Sequence, residues 1–197
     1  MWYFIFRFTS NFVLRIFFRL KVEGIEYLPK KTNFIIVSNH TSFLDPVVIG
    51  ACIPHKIYCI ALRDLFKDRF FRWAFRKLDA LPSGSSAPIA IQLLRENKNV
   101  GLFPEGGISR NGQLKEFRSG AAVLAYKTGR PIVPCAISGT FQALPFGARI
   151  PRLVRIRVKI GKPVYLLKEF DDIIDDIKLQ EGINRVRTTI SEMLNAE

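Results

Sequence analysis

Along the chain, short unbroken apolar runs alternate with stretches whose apolar positions recur every three or four residues. NFIIVS (33–38), KIYCIAL (56–62), NVGLF (99–103) and PIVPCAIS (131–138) read as buried strands. LVRIRVKI (153–160) alternates strictly, with Arg155, Arg157 and Lys159 on one face and Val154, Ile156, Val158 and Ile160 on the other. Helical spacing predicts helices over 46–53, 69–77, 85–97, 118–129 and the last twenty residues, where Ile183, Val186, Ile190 and Met193 form a core stripe. Strands alternating with helices predict an α/β protein, and no repeat or Gly/Ser linker divides it.

The first twenty residues, MWYFIFRFTSNFVLRIFFRL, stand apart: fourteen are apolar and three are arginines. A membrane span needs roughly 20 uninterrupted apolar residues, and an arginine near the bilayer centre costs at least about 2.5 kcal/mol. On a helical projection Arg7, Asn11, Arg15 and Arg19 share one broad side. The segment therefore reads as a helix lying in the headgroup region, aromatics down and arginines on lipid phosphates. A buried core helix is the alternative, and a transmembrane span the third reading. This divides the chain into an N-terminal membrane-associated helix (1–20) and one domain (21–197).

Charge sharpens the picture. The 197 residues carry a net +13, which calls for an anionic partner: a phospholipid surface, a phosphorylated substrate or nucleic acid. Residues 168–197 hold four Lys/Arg against eight Asp/Glu, so the acidic end points away from whatever the basic body meets. Cys52, Cys59 and Cys135 are odd in number and form neither a CxxC pair nor a metal spacing. No metal site is expected, and a reducing compartment such as the cytoplasm fits.

Candidate chemistry sits in VSNHTSFLDP (37–46), where His40 is one of only two histidines in the chain. On one regular helix, His40 and Asp45 would be about 140° apart. Here, however, His40 ends a predicted strand and Pro46 suits the first residue of a helix. The turn Thr41–Leu44 can then fold Asp45 back onto the imidazole. An Asp accepting the Nδ1–H would leave Nε2 able to take a proton. An Asp before a proline is equally an N-cap, worth about 1 kcal/mol, and the residues alone leave both roles open. FPEGGISRNGQ (103–113) is a glycine-rich loop after a strand. With Arg110, Lys115 and Arg118 nearby it can cradle an anion, or be a polar turn and nothing more. Glu105 would hydrogen-bond substrate hydroxyls or hold an arginine.

Together, NHTSFLD (39–45) and FPEG (103–106) resemble the NHxxxxD and FPEG motifs of the glycerophospholipid acyltransferases, typified by 1-acylglycerol-3-phosphate acyltransferase. The likeness extends through VEGIEYLPK (22–30), ALRDLFKDRFFRWAFRKLDALP (61–82), GAAVLAYKTGRPIVPCAI (120–137) and IGKPV (160–164). It implies a single domain with a mixed, largely parallel sheet flanked by helices, behind an amphipathic N-terminal helix. It also implies roles. His40 would be general base on a glycerol hydroxyl of a lysophospholipid, oriented by Asp45, and that oxygen would attack the thioester of an acyl-CoA or acyl-carrier protein. Phe103, Pro104, Glu105, Gly106, Gly107, Ser109 and Arg110 would hold the acceptor, Val133 and Pro134 are linked to acyl binding, and neither covalent intermediate nor cofactor is needed. The implied partners are a phospholipid membrane on its cytoplasmic face, the lysophospholipid and the acyl donor, with no nucleic acid.

Two departures bear on the acceptor. Ile108 stands where the family places an arginine, and in LDALPSGSS (78–86) Asp79 takes a glycine position with no arginine at the segment's end. Both remove phosphate-binding groups, so lysophosphatidylethanolamine or a phosphate-free lyso-aminolipid rivals 1-acylglycerol-3-phosphate. Two other classes stand beside the enzyme: a non-catalytic membrane-binding module, and a nucleic-acid binder using the basic face of RIRVK. A basic edge strand is, however, a common guard against aggregation.

Overall fold

A computed structural model of the chain describes residues 2–61, 63, 67, 69, 72, 79–84, 86–167 and 175–196. The apolar runs form β2 (Ile35–Ser38), β3 (Ile57–Ala61), β5 (Asn99–Leu102) and β6 (Ile132–Ser138). Two short strands that periodicity does not mark, β1 (Lys21–Glu23) and β4 (Leu81–Pro82), join them. The alternating run pairs only in its second half, as β7 (Arg157–Ile160). The helices are α1 (Trp2–Phe17), α2 (Asp45–Cys52), α3 (Ala87–Arg95), α4 (Gly120–Thr128), the short α5 (Thr140–Ala143) and α6 (Asp176–Asn195). The helix predicted over 69–77 lies, apart from residues 69 and 72, outside the described residues.

Among the described residues the strands make a seven-stranded sheet of order β1-β7-β6-β2-β5-β3-β4. Every pairing is parallel except β6 with β7. The α/β reading with a mixed, largely parallel sheet holds. One detail changes: β7 is not an edge strand but lies between β1 and β6. Its basic face also has a structural use, because Lys159 Nζ donates to the carbonyls of Met193 and Ala196 at the end of α6. A cation there meets carbonyls that the helix itself leaves without donors.

Successive residues of the central strands face opposite ways, which builds two cores. Ile36, Val133, Cys135, Ile137, Val158 and Ile160 pack against α1 and α2. Ile35, Val37, Val100, Ile132 and Ala136 pack against α3, α4 and α6, including the Ile183, Val186 and Ile190 stripe. Helices on both faces of a parallel sheet explain why its strands read as unbroken apolar runs.

The N-terminal helix is neither wholly buried nor wholly free. Tyr3 and Leu14 are buried, and three polar side chains of α1 serve carbonyls just past or at the end of α2. Asn11 Nδ2 donates to Ala51, Arg7 Nη1 reaches Ile53, and the Tyr3 hydroxyl donates to His55. Part of the polar side expected on lipid phosphates is thus turned onto the protein, since the last carbonyls of a helix lack intrahelical partners. Trp2, Phe4, Ile5, Phe8, Phe12, Val13, Ile16 and Phe17 remain exposed. No helix among the described residues is long and apolar enough to cross a membrane.

Candidate active site

Because β2 lies between β6 and β5, the residues leaving its carboxyl end emerge between the ends of two neighbours. Asn39 secures that exit. Its side chain is buried, donating to the Ile137 carbonyl at 2.9 Å and accepting the Ile137 N–H at 2.8 Å, as a further rung between β2 and β6 would. His40 follows directly, at the edge of a parallel sheet where α/β proteins hold their ligands.

The turn after His40 does fold Asp45 back. His40 Nδ1 and Asp45 Oδ2 are 2.9 Å apart, and the same oxygen accepts the N–H groups of Thr41 at 2.7 Å and Ser42 at 2.8 Å. A carboxylate only accepts, so Nδ1 carries the hydrogen and Nε2 holds the lone pair. Among the described residues Nε2 has no hydrogen-bond partner. Asp45 is completely buried, whereas the imidazole keeps 14% of its side-chain surface. The capping alternative is not what the turn shows. Asp45 is itself the first residue of α2, the N-cap is Leu44 with no side-chain bond, and the carboxylate serves the turn before the helix. Ser42 Oγ donates to the Leu144 carbonyl at 2.7 Å, and the Thr41 and Thr140 hydroxyls are 3.2 Å apart, so the turn is also tied to the chain after β6.

The FPEG loop, at the end of β5, grips His40 from the other side. The Phe103 ring stacks on the imidazole with centroids 4.2 Å apart. Glu105 Oε1 accepts the His40 N–H at 2.8 Å, and the Ser109 N–H donates to the His40 carbonyl at 2.7 Å. The Glu105 carboxylate therefore serves the backbone of His40, a contact that the sequence did not suggest. Burial pushes its carboxyl above the ordinary range, partly opposed by the His40 N–H.

Pro104 is buried and its carbonyl accepts the Arg118 N–H at 2.9 Å. Gly106 has φ +72, and a Cβ there would lie 2.6 Å from Arg118 Cζ, so a guanidinium occupies the space a side chain would need. Gly107 has open space around it, and its carbonyl accepts from Lys115 Nζ at 3.3 Å. Arg110 lies elsewhere. Its guanidinium sits 4.8 Å over the Phe146 ring, which stacks with Phe43. The cations beside the loop's glycines are therefore Lys115 and Arg118.

Other sequence readings land as follows. Asp79 adopts φ +54, the left-handed backbone expected of a glycine position, and pairs with Lys56. Arg63, which sequence reasoning passed over, bonds Ser83 and lies about 4 Å from the Cβ position of Gly84, so a guanidinium from outside the arginine-less segment reaches it. Val133 is wholly buried in the α1–α2 core. A very small void beside Phe103 is lined by Ile36, Ser38, Ile49, Cys59, Gly101 and Leu102. The three cysteines are unpaired, and burial pushes the Cys52 and Cys59 thiols up to about 12. Asn39, the first residue of the NHTSFLD motif, was given no role from sequence, and Thr140 and Leu144 escaped notice. Only Asn39 carried a signal, as a polar residue closing an apolar strand.

Comparisons with known proteins find relatives of one kind. The 1-acyl-sn-glycerol-3-phosphate acyltransferase BAT2, chloroplastic, of Brassica napus is 31% identical over 182 residues, 86% of this chain and 52% of its own. The 1-acyl-sn-glycerol-3-phosphate acyltransferase of Bacillus subtilis (strain 168) is 28% identical over 153 residues, 74% of each chain. This chain spans about half the length of the two chloroplastic relatives, from Brassica napus and Arabidopsis thaliana, 52% and 44%. The crystal structure of the 1-acyl-sn-glycerophosphate (LPA) acyltransferase PlsC from Thermotoga maritima matches with a TM-score of 0.73 at 27% identity, covering 97% of this chain and 82% of that one. The sequence profile described as Acyltransferase runs over residues 19–138, from before β1 through both motif loops to the last residue of β6. The protein that places an Asp-held imidazole between these strand ends belongs to the acyltransferase family.

Proposed function

We propose that the protein transfers a fatty acyl chain from an acyl thioester, carried by CoA or acyl-carrier protein, to the free hydroxyl of 1-acylglycerol-3-phosphate, giving phosphatidate. One observation carries this reading: the His40 imidazole is held by the buried Asp45 in the tautomer that leaves Nε2 basic. In the proposed step Nε2 takes the hydroxyl proton while the oxygen attacks the thioester carbonyl. The tetrahedral adduct collapses, the C–S bond breaks, and the departing thiolate takes the proton from the imidazolium. The Asp45 charge stabilises that imidazolium. A thioester is already activated, so neither a nucleophilic cysteine nor a metal or cofactor enters.

Arg118 and Lys115, beside Gly106 and Gly107, replace the arginine missing at Ile108 as ligands of the acceptor phosphate, with Arg63 near Gly84 as a further cation. The exposed apolar side of α1, within the leading segment 1–20, rests in the headgroup region of the cytoplasmic face, ahead of an acyltransferase domain over 21–197. The changed cation set also supports a second acceptor class, a lysophosphatidylethanolamine or lyso-aminolipid. A purely lipid-binding module would have no use for a buried carboxylate on an imidazole, and Lys159 of the basic strand is engaged with α6 rather than available to nucleic acid.

The test is to incubate the protein with a labelled acyl thioester and a mixture of lyso-lipids, then identify the diacyl product by mass. Labelled phosphatidate is the expected product. A diacyl product formed only from another acceptor would move the headgroup assignment, and no product from any acceptor would end the enzymatic reading.

A further inference from the structure

The segment between α5 and β7, LPFGARIPRL (144–153), is a loop exposed from Phe146 onward. Phe146, Ile150 and Leu153 are 47, 82 and 67% exposed. Its polar backbone, in contrast, is tied inward. Arg152 N–H donates to the Ala143 carbonyl at 2.7 Å, Ala148 N–H to Pro145, and the Leu144 carbonyl accepts from Ser42 in the turn that holds His40. Single exposed apolar residues are ordinary. These form part of a longer track. At one end Phe146 stacks on Phe43, three residues from His40 and 40% exposed. At the other, Ile156 exchanges backbone hydrogen bonds with Phe18 and Lys21, which brings the loop's exit to the end of α1, where Ile16 and Phe17 are exposed.

Charge says what covers the track. From Gly139 to Leu167 there is no acidic residue, while Arg149, Arg152, Arg155, Arg157, Lys159 and Lys162 all fall there. Arg149, Arg152 and Arg155 are exposed, and Arg110 lies over Phe146. Aromatic and aliphatic tips rimmed by arginines, with no carboxylate among them, match the chemistry of an anionic phospholipid leaflet. A side chain as protruding as Ile150 suits insertion into fluid lipid rather than a protein interface, whose anchors fill pockets.

We propose that loop 144–153, with Phe43, is a second membrane-inserting element, which docks the mouth of the His40 site on anionic phospholipid. It rests on the reading of α1 as a lipid-facing helix. The two contacts together hold His40 at headgroup depth, where a lyso-lipid presents its hydroxyl without leaving the bilayer.

The test places an environment-sensitive fluorophore at Ile150→Cys in the full chain. The parent chain is the blank, since burial pushes all three native thiols far up. With vesicles of phosphatidylcholine containing phosphatidylglycerol, emission should shift to the blue and be quenched by a lipid-borne quencher. The same probe at Gln180→Cys, on the exposed side of α6, should not respond. The double variant Ile150→Asp, Leu153→Asp should bind these vesicles about tenfold more weakly or worse, while acylating a soluble short-chain lyso-lipid at an unchanged rate. Co-sedimentation with no response at position 150, or vesicle affinity unaltered in the double variant, overturns the proposal and leaves the α1 reading standing. Absence of any vesicle binding defeats both. A response at position 150 to an acidic carrier protein but not to vesicles overturns it in favour of a protein partner.

Discussion

Two buried carboxylates flank His40, and they differ in what they hold. Asp45 takes the ring: one oxygen accepts the Nδ1–H together with two backbone N–H groups of the turn. Glu105 takes the backbone: it accepts the His40 N–H, while Ser109 of the same loop donates to the His40 carbonyl. The first partner sets the tautomer of the imidazole and, in the proposed step, would answer the charge that forms on it. The second fixes where the imidazole is. Chemistry and position are thus assigned to separate acids from separate motifs, and this separation can be tested residue by residue.

The largest effect belongs to the base itself. His40→Ala should lower acyl transfer by about 10²–10⁴-fold with vesicle binding unchanged, as read by turnover of labelled thioester beside co-sedimentation. Next comes Asp45→Asn, which keeps an oxygen for the Thr41 and Ser42 N–H groups but removes the negative charge facing the ring. It should lower kcat by about 10²–10³-fold with little change in acceptor KM. A loss confined to KM would show that Asp45 only positions.

Arg118→Ala probes the outer side of the loop whose inner side holds His40. Losing a charged hydrogen bond worth about 1.5–3 kcal/mol should raise the KM for lysophosphatidate by roughly 10–100-fold. The KM for a phosphate-free lyso-lipid should hardly move, and equal effects on both acceptors would remove Arg118 from the phosphate site.

The smallest effect should be that of Glu105→Gln, below about tenfold in kcat, because the amide oxygen still accepts the His40 N–H. Its sharper signature is in stability. Burial raises the Glu105 carboxyl above its ordinary value of 4.5, so folding favours the protonated acid. That contribution is complete below the unfolded value and is lost as pH rises through the folded one. Glutamine does not titrate. Thermal melts should therefore show the variant gaining on the parent as pH climbs past about 4.5. A parent that gains on the variant over that range would mean that the native site stabilises the ionised acid.

Much of this was legible in the residues, for reasons that are local. Strands buried on both faces must be apolar throughout, so β2, β3, β5 and β6 show as runs; α6, half exposed, shows its stripe at helical spacing. β1 and β4 did not show, because strands of three and two residues carry no period. The left-handed backbone at Asp79 could be anticipated from a glycine position, whereas its pairing with Lys56 could not. The partner of Asp45 was foreseeable, since a four-residue turn between a strand and a helix leaves few places for a carboxylate.

What the sequence alone determined is the repertoire: an α/β chain, a base with an acid five residues on, a glycine loop and a basic, apolar leading segment. These follow from the local spacing of residue types. Tertiary structure decided their assignments. Only with β5 and β6 on either side of β2 does Glu105 reach the His40 N–H across 65 positions and Asn39 reach Ile137 across 98. Only packing turned Arg110 onto Phe146 and left Arg118 against Gly106. The physical reason is that hydrogen bonds and ring contacts act over a few ångströms in space, while spacing along a chain specifies position only within a turn or an element.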